Sequence, residues 1–147
     1  MGAKEALNLP GDIEKAISKL IEEVKESCES ILLTGSYAIG KQRRGSDIDL
    51  FFITRGERES ERVRAIAERY KRALGKTDWI RPLLDYMVLT YRELLDISTK
   101  ERNFYIYSCF KKGKVIYGRN LRGDIAFPPT SVKQYDKVAR RHQANPL

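Results

Sequence analysis

Residues 31–54 read ILLTGSYAIGKQRRGSDIDLFFIT, and this stretch contains most of the features that decide the fold of the 147-residue chain. The apolar run 31–34 ends at Gly35 and predicts a short buried strand. Residues 36–42 are expected to form a short helix. Ile48–Thr54, which is rich in isoleucine, leucine and phenylalanine, predicts a second strand. The stretch therefore predicts a strand, a helical turn and a strand in succession.

The segments on either side alternate between helical and strand-like periodicity. The predicted helices cover residues 12–28, 57–74 and 98–112, and the further strands cover 83–89 and 115–117. We place helix N-caps at Asp12 and at Ser98, which has capping-box spacing to Glu101. Helices that alternate with short buried strands predict an α/β (α+β) domain.

The composition indicates a folded domain rather than a disordered chain, with 41% hydrophobic and 33% charged residues. No apolar run approaches the roughly 20 residues that a membrane span needs, so we expect a cytoplasmic protein without membrane contact. The formal net charge is +8, which favours phosphate-rich or acidic partners.

The positive charge is concentrated towards the C-terminus. Residues 119–147 contain six lysines and arginines against two aspartates. We expect one domain over residues 1–123 and a basic tail over 124–147, in which Pro128-Pro129 precedes a candidate short helix. The tail fits either a solvated segment or a nucleic-acid contact, and its few aromatic residues favour the first interpretation.

Few side chains outside residues 31–54 have obvious catalytic or metal-binding potential. Cys28 and Cys109 lie in apolar, helix-like patterns and are expected to be buried free thiols. The single histidine, His142, lies in the basic tail, which argues against histidine-based zinc sites and Ser-His-Asp catalysis. The aromatic residues of 104–110 are interpreted as core rather than as a base-stacking platform.

Asp47 and Asp49 are the strongest candidates for chemistry. Residues i and i+2 of a strand point to the same face, so both carboxylates project together. Two like charges this close repel each other unless a cation lies between them. Because all-oxygen ligands suit Mg²⁺ or Mn²⁺, the pair predicts a site for one of these ions.

A phosphate-binding turn is predicted twelve residues before the carboxylates. Gly35 and Ser36 end one strand and begin the predicted helix, whose free backbone N–H groups would attract phosphate. Lys41, Arg43 and Arg44 follow closely enough to balance the charge of a triphosphate. The carboxylates and the turn together predict one nucleotide site.

The motif GSYAIGKQRRGSDIDLFF resembles the signature of the DNA polymerase beta-type nucleotidyltransferase superfamily. More narrowly, it is similar to the minimal nucleotidyltransferases, including those encoded beside HEPN-domain toxins. The resemblance implies that residues 1–123 form a nucleotidyltransferase-type mixed β-sheet with helices packed mainly on one face. It also implies that the Gly35-Ser36 helix binds the nucleotide phosphates and that three carboxylates serve two metal ions.

The third carboxylate that the resemblance requires is assigned to Asp85, in the otherwise apolar strand 83–89. A solvent-facing Asp85 at a strand end is the alternative, and Asp78 is the other candidate ligand. One position departs from the family pattern, because many minimal members have arginine where this chain has Ile39. Lys41, Arg43 or Arg44 are expected to substitute for that arginine.

The resemblance implies transfer of a nucleoside monophosphate, with AMP from ATP expected, to a hydroxyl acceptor. Asp47, Asp49 and Asp85 would be both catalytic residues and ligands of two Mg²⁺ ions, with Mn²⁺ as the alternative, and Asp85 would be the general base.

We expect the acceptor to come from a partner protein, because the chain is short and contains no visible second domain. A HEPN-type toxin is the specific candidate, which would make the chain an antitoxin within an oligomer or hetero-complex. Two alternatives stay open. One is an RNA-directed nucleotidyltransferase, and the other is a non-catalytic interaction module that keeps the fold.

Overall fold

A four-stranded mixed sheet forms the centre of the computed structural model, which describes residues 9, 11–75, 83–100 and 104–125, with only the backbone at 97–100 and 104. The strands are β1 (Cys28–Thr34), β2 (Ile48–Thr54), β3 (Leu84–Thr90) and β4 (Lys114–Gly118), in the spatial order β3-β2-β1-β4. β1 pairs antiparallel with both β2 and β4, whereas β2 and β3 are parallel. The predicted mixed-sheet α/β fold is confirmed.

Four helices connect and cover these strands within the described ranges. They are α1 (Gly11–Val24), α2 (Glu57–Ala73), α3 (Tyr91–Lys100) and α4 (Phe104–Lys112), with short 3-10 turns at Lys25–Ser27 and Leu121–Asp124. Helix α2 makes the crossover that joins the parallel strands β2 and β3, as a parallel connection requires. None of the helices in this part of the chain is long and apolar enough to cross a bilayer.

The two long helices, α1 and α2, pack on one face of the sheet, as predicted. Their apolar stripes meet the inward-facing residues of β1, β2 and β3 in a core that includes Ile17, Leu20, Leu33, Phe52 and Val63. These side chains are almost completely buried. Each such side chain contributes about 1.5–3 kcal/mol when it is removed from water, so burial in this layer is a large stabilising contribution.

A smaller second layer, formed by α3 and α4, covers the opposite face. Its core contains Leu32, Phe51, Leu94 and Phe110, and the rings of Phe51 and Phe110 meet edge to face with centroids 5.9 Å apart. The prediction did not include this layer. Of the aromatic residues interpreted as core, Phe110 is buried as expected.

The chain through Ile125 belongs to the same packed unit, because Leu121 and Ile125 are buried in the second layer. The rest of the predicted tail, residues 126–147, lies outside the described residues, as do His142 and the alternative ligand Asp78.

The first helix is shorter than its apolar pattern predicted. It begins at Gly11, which places Asp12 in the first turn rather than at the N-cap, and it ends at Val24. Cys28 is therefore the first residue of β1, not part of a helix, and it pairs with Thr54 of β2. Cross-strand pairing outweighs the helical spacing of Val24 and Cys28. Both cysteines are free and buried, as expected.

The predicted helix start at Ser98 is also wrong, because Ser98 lies near the end of α3. Helix α3 begins with a capping box made by Thr90 and Glu93. The Thr90 hydroxyl accepts a hydrogen bond from the Glu93 backbone N–H at 2.9 Å, and the Glu93 carboxylate accepts one from the Thr90 N–H at 2.9 Å. Helix α4 ends at Lys112, directly before Gly113, as predicted.

Candidate active site

Asp49 of β2 and Asp85 of β3 are direct partners across the parallel pair. Asp49 lies two residues before Phe51 on β2, and Asp85 lies two residues before Met87 on β3. Because residues two apart on a strand share a face, both carboxylates project on the face that α3 and α4 cover. Neighbouring strands lie about 4.8 Å apart, which makes the two carboxylates close neighbours. They line a cavity of about 50 Å³ near the N-terminal ends of both strands.

Asp47 lies two residues before Asp49 and contributes to the same negative region. Burial, together with the negative charges of Asp85 and Asp47, raises the pKa of the Asp49 carboxyl to about 6. The structure therefore brings together the three carboxylates that the sequence singled out. The repulsion between these carboxylates disfavours their charged forms, and a cation bound at this position would relieve it.

Gly35 directly follows β1, and its backbone lies against the Asp49 side chain. A Cβ atom at Gly35 would overlap the Asp49 Oδ2, and its φ of +71° lies in the left-handed region that favours glycine. On the same strand, the Thr34 hydroxyl donates to the Asp49 carbonyl oxygen at 3.4 Å. The glycine of the predicted phosphate-binding turn is thus held in contact with the predicted metal ligand.

Residues 36–40 form successive turns rather than the predicted helix. The Ser36 carbonyl oxygen accepts hydrogen bonds from the N–H groups of Ile39 at 3.3 Å and Lys41 at 3.0 Å. Gly40 has a φ of +69°, which ends the right-handed path after one turn. The predicted phosphate cradle is therefore a turn over residues 35–40 with a glycine at each end, not a helix N-terminus. We call this segment the Gly35 turn.

The basic residues Lys41, Arg43 and Arg44 are exposed in the connection between this turn and β2. Ser46 closes a tight turn there, because its side-chain hydroxyl accepts from the Arg43 N–H at 2.7 Å and its N–H donates to the Arg43 carbonyl at 2.9 Å. The connection places positive charge in sequence between the Gly35 turn and the carboxylates. The assignment of these residues and of Ser36 to phosphate binding stays a prediction.

Asp85 has two partners besides the neighbouring carboxylates. Its Oδ1 lies 3.5 Å from the Lys71 Nζ of α2 and accepts a hydrogen bond from the Tyr86 N–H at 3.1 Å. Asp85 is exposed, as the strand-end alternative proposed, yet it lines the same cavity as Asp49.

Tyr105 of α4 is a site residue that the sequence interpretation missed. It lines the cavity with Asp49 and Asp85 and is 44% exposed, so its assignment to the core is wrong. Burial of its hydroxyl raises the pKa of Tyr105, and the hydroxyl hydrogen-bonds to the Cys109 side chain one helical turn later. The helical spacing placed Tyr105 among apolar residues and gave no signal that its ring faces a cavity.

The family model for the nucleotidyltransferase domain matches residues 17–112, which is more than half of the chain. The match spans β1, the Gly35 turn, β2, α2 and β3, and therefore contains every carboxylate described above. The chain belongs to the nucleotidyltransferase domain family. The predicted family resemblance is confirmed.

Several solved structures resemble this nucleotidyltransferase domain, and three of them are described below. A Sulfolobus solfataricus protein assigned as a nucleotidyltransferase is 24% identical over 69% of this chain and 76% of its own, with a TM-score of 0.41. A toxin-antitoxin with AMP-PNP is 18% identical over 88% of this chain and 92% of its own, with a TM-score of 0.46. A mutant of the toxin-antitoxin MntA-HpeT is 18% identical over 89% of this chain and 92% of its own, with a TM-score of 0.47. A comparison with curated proteins found no match.

The donor chemistry of the nucleotidyltransferase site fits a hard divalent cation. Asp47, Asp49 and Asp85 offer only carboxylate oxygens, which Mg²⁺ and Mn²⁺ prefer, and burial followed by the charges of Asp85 and Asp47 raises the pKa of Asp49. In the described ranges, no three histidine, cysteine, aspartate or glutamate side chains are arranged so that they could already hold a metal ion together. The assignment of the three aspartates as metal ligands stays a prediction.

Proposed function

We propose that this nucleotidyltransferase transfers a nucleoside monophosphate, AMP from ATP in the simplest case, to a hydroxyl acceptor. The observation that carries the proposal is the pairing of Asp49 with Asp85, with Asp47 beside them and the Gly35 turn in contact with Asp49. This arrangement combines carboxylates for divalent cations with a glycine turn that a phosphate can approach closely.

In the proposed reaction, the acceptor oxygen forms a bond to the α-phosphorus while the bond to the bridging oxygen breaks and pyrophosphate leaves. Asp47 and Asp49 would hold Mg²⁺ or Mn²⁺, and Asp85 would complete the ligand set. When bound, two such ions stabilise the attacking and leaving oxygens of an in-line displacement. Asp85 is the candidate base for the acceptor proton, because it is exposed and lies at the cavity.

The chain's other residues would bind and orient the triphosphate. Gly35 and Ser36 provide backbone next to Asp49, and Lys41, Arg43 and Arg44 provide exposed positive charge in the following connection. Ile39 stands where many minimal members have arginine, and its exposed side chain contributes no charge, so these three cations would have to replace that arginine.

The proposed acceptor is a hydroxyl side chain of a partner protein, with a HEPN-type toxin as the specific candidate. The support for this step is the resemblance of residues 35–52 to the minimal nucleotidyltransferases encoded beside such toxins. In that role the chain would act as an antitoxin within a hetero-complex.

RNA is the second candidate acceptor, because the chain has a net charge of +8 and exposes three cations between the Gly35 turn and β2. Phosphate contacts by lysine and arginine release counterions, so RNA binding would weaken steeply as salt is increased. Weak RNA binding that does not depend on salt would argue against RNA and favour a partner protein as the acceptor.

Thermal unfolding with Mg²⁺ and each of the four nucleoside triphosphates tests the proposal without knowledge of the acceptor. Ligand at about 100 times its dissociation constant stabilises by about 2.7 kcal/mol, which raises the midpoint by several degrees in a chain of this size. The expected result is a Mg²⁺-dependent rise that an Asp47→Asn, Asp49→Asn variant lacks.

A Glu26→Gln, Glu61→Gln variant is the matched control, because it removes the same charge from exposed positions on other elements. It should keep the nucleotide-dependent rise. If the native chain shows no rise with any nucleotide, the non-catalytic interaction module becomes the better description.

A further inference from the structure

Helix α2 places a lysine beside the carboxylate that the proposed function assigns as the third metal ligand. We infer that Lys71 is a positioning residue that holds Asp85 in the metal-free site and thereby lowers the affinity of the site for a divalent cation. This inference rests on the proposed function, because it concerns how that site is filled.

Lys71 contacts two successive residues of β3. Its Nζ lies 3.5 Å from the Asp85 Oδ1 and 5.8 Å from the centroid of the Tyr86 ring. The Tyr86 N–H donates to the same Oδ1 at 3.1 Å, so one oxygen of Asp85 has two donors. The Tyr86 hydroxyl in turn donates to Glu68 of α2 at 2.7 Å, which holds the ring beside the Lys71 ammonium group.

The ion pair between Lys71 and Asp85 lies beside the other carboxylates of the site, so it affects how the site binds a cation. Asp85 faces Asp49 across the parallel strands, so the ammonium group partly compensates a cluster of negative charges. A divalent cation that binds Asp85 must replace this compensation and must also approach a positive charge. Lys71 therefore stabilises the metal-free arrangement at the expense of the metal-bound one.

The size of the effect is limited by solvent. The Lys71 side chain is 33% exposed and the Asp85 side chain is 57% exposed, and ion pairs of this kind contribute at most about 1 kcal/mol. We expect a change of about two- to fivefold in the dissociation constant for the cation when Lys71 is removed.

The experiment is a Mn²⁺ titration of the full chain, with free Mn²⁺ followed by electron paramagnetic resonance. Lys71→Met removes the ammonium group, keeps an unbranched side chain and should lower the dissociation constant about two- to fivefold. Arg72→Met is the matched control, because Arg72 is the next residue of α2 and pairs with Glu68 rather than with Asp85. It should leave Mn²⁺ binding within about 1.5-fold of the native value.

A double variant separates the direct route through Asp85 from a general charge effect. In an Asp85→Asn background, Lys71→Met should no longer change Mn²⁺ affinity, since the partner it releases is gone. An equal gain in both backgrounds would overturn the inference, as would weaker or unchanged binding in Lys71→Met alone.

Asp49→Asn distinguishes failure of the inference from failure of the proposed function. If Asp49→Asn abolishes Mn²⁺ binding while Lys71→Met has no effect, the proposed metal site is supported and only the role of Lys71 is wrong. If the native chain binds no Mn²⁺, the proposed function and the inference are both overturned.

Discussion

Asp49 and Asp85 face each other across two parallel strands, although the 17-residue helix α2 separates them along the chain. The pairing places two carboxylates, joined by Asp47, on the face of the sheet that α4 partly covers. Asp49 is half-buried, and its pKa of about 6 shows that the folded chain without a cation disfavours its charged form. Above pH 6 the charged form of Asp49 therefore lowers the stability of the fold.

Asp49→Asn should stabilise the chain in the presence of a chelator. The folded-state pKa of Asp49 is raised from 3.8 to about 6, so its contribution to stability is full below pH 4 and is lost as the pH rises through 6. After allowance for partial exposure, we expect a gain of about 1–2 kcal/mol at pH 8 and little gain at pH 4. Urea unfolding at both pH values measures this difference.

The control for this prediction is Glu61→Gln, which removes one charge from the exposed face of α2. It should change stability by less than about 0.5 kcal/mol at either pH. A loss of stability in Asp49→Asn at pH 8 would contradict the assignment of Asp49 as a repelled, half-buried carboxylate.

Gly35→Ala should disrupt the site through a direct clash. The new Cβ would overlap the Asp49 Oδ2, and the φ of +71° adds backbone strain of about 1–2 kcal/mol. We expect a loss of at least about 2 kcal/mol of stability together with loss of the Mg²⁺-nucleotide-dependent rise in the unfolding midpoint.

Gly40→Ala separates the two causes, because Gly40 has a similar φ of +69° but no atom within 4 Å of an added Cβ. It should have the strain cost alone and should keep most of the nucleotide response. Equal loss of the nucleotide response in both variants would mean that the conformation of the turn matters and the contact with Asp49 does not.

Much of the site could be predicted because strand periodicity is a local property. The bounds of β2 and the face on which Asp49 projects follow from alternation within a few residues, whereas Asp47 lies one residue before the strand, where alternation does not fix the direction of a side chain. The register of β3 against β2 is a long-range property, so the sequence could nominate Asp85 but could not show its pairing with Asp49. The contact between Lys71 and Asp85 depends on how the end of α2 lies over β3, and no local pattern contains it.

The errors in the predicted elements have a similar cause. Thr90 and Glu93 have the same capping-box spacing as Ser98 and Glu101, and only the first pair begins a helix. Leu94 packs into the second layer directly after Glu93, and the spacing of the two capping boxes contains no information on that contact. For Cys28, pairing with β2 outweighs a helical spacing that looked equally valid.

Both cysteines should react slowly with alkylating reagents in the folded chain. Burial raises the pKa of Cys28 and of Cys109 to about 12, so the reactive thiolate is scarce at pH 8. Iodoacetamide labelling followed by intact mass measurement should show little modification of the native chain within the time that fully modifies it in denaturant. Rapid native labelling of one site would contradict its burial, and peptide mapping would identify which cysteine reacts.

Tyr105→Ala should weaken nucleotide binding more than Tyr105→Phe does. The Tyr105 ring lines the cavity beside Asp49 and Asp85, whereas its hydroxyl is engaged with the Cys109 side chain of the same helix. The Tyr105 side chain is exposed, so its ring offers an aromatic surface to a base or an acceptor beside the carboxylates. Loss of a stacking surface costs roughly 1–3 kcal/mol, whereas loss of the hydroxyl should change affinity about twofold or less.

The measurement is the dissociation constant for each Mg²⁺-nucleoside triphosphate by calorimetry, with Tyr107→Ala as the control on the same helix. Tyr107 lies outside the cavity lining and has the Lys111 ammonium 5.9 Å from its ring centroid. We expect about a tenfold loss for Tyr105→Ala, since about 1.4 kcal/mol corresponds to that factor, and little change for the control. Equal losses in Tyr105→Phe and Tyr105→Ala would assign the effect to the hydroxyl instead, because the phenylalanine ring preserves the stacking surface.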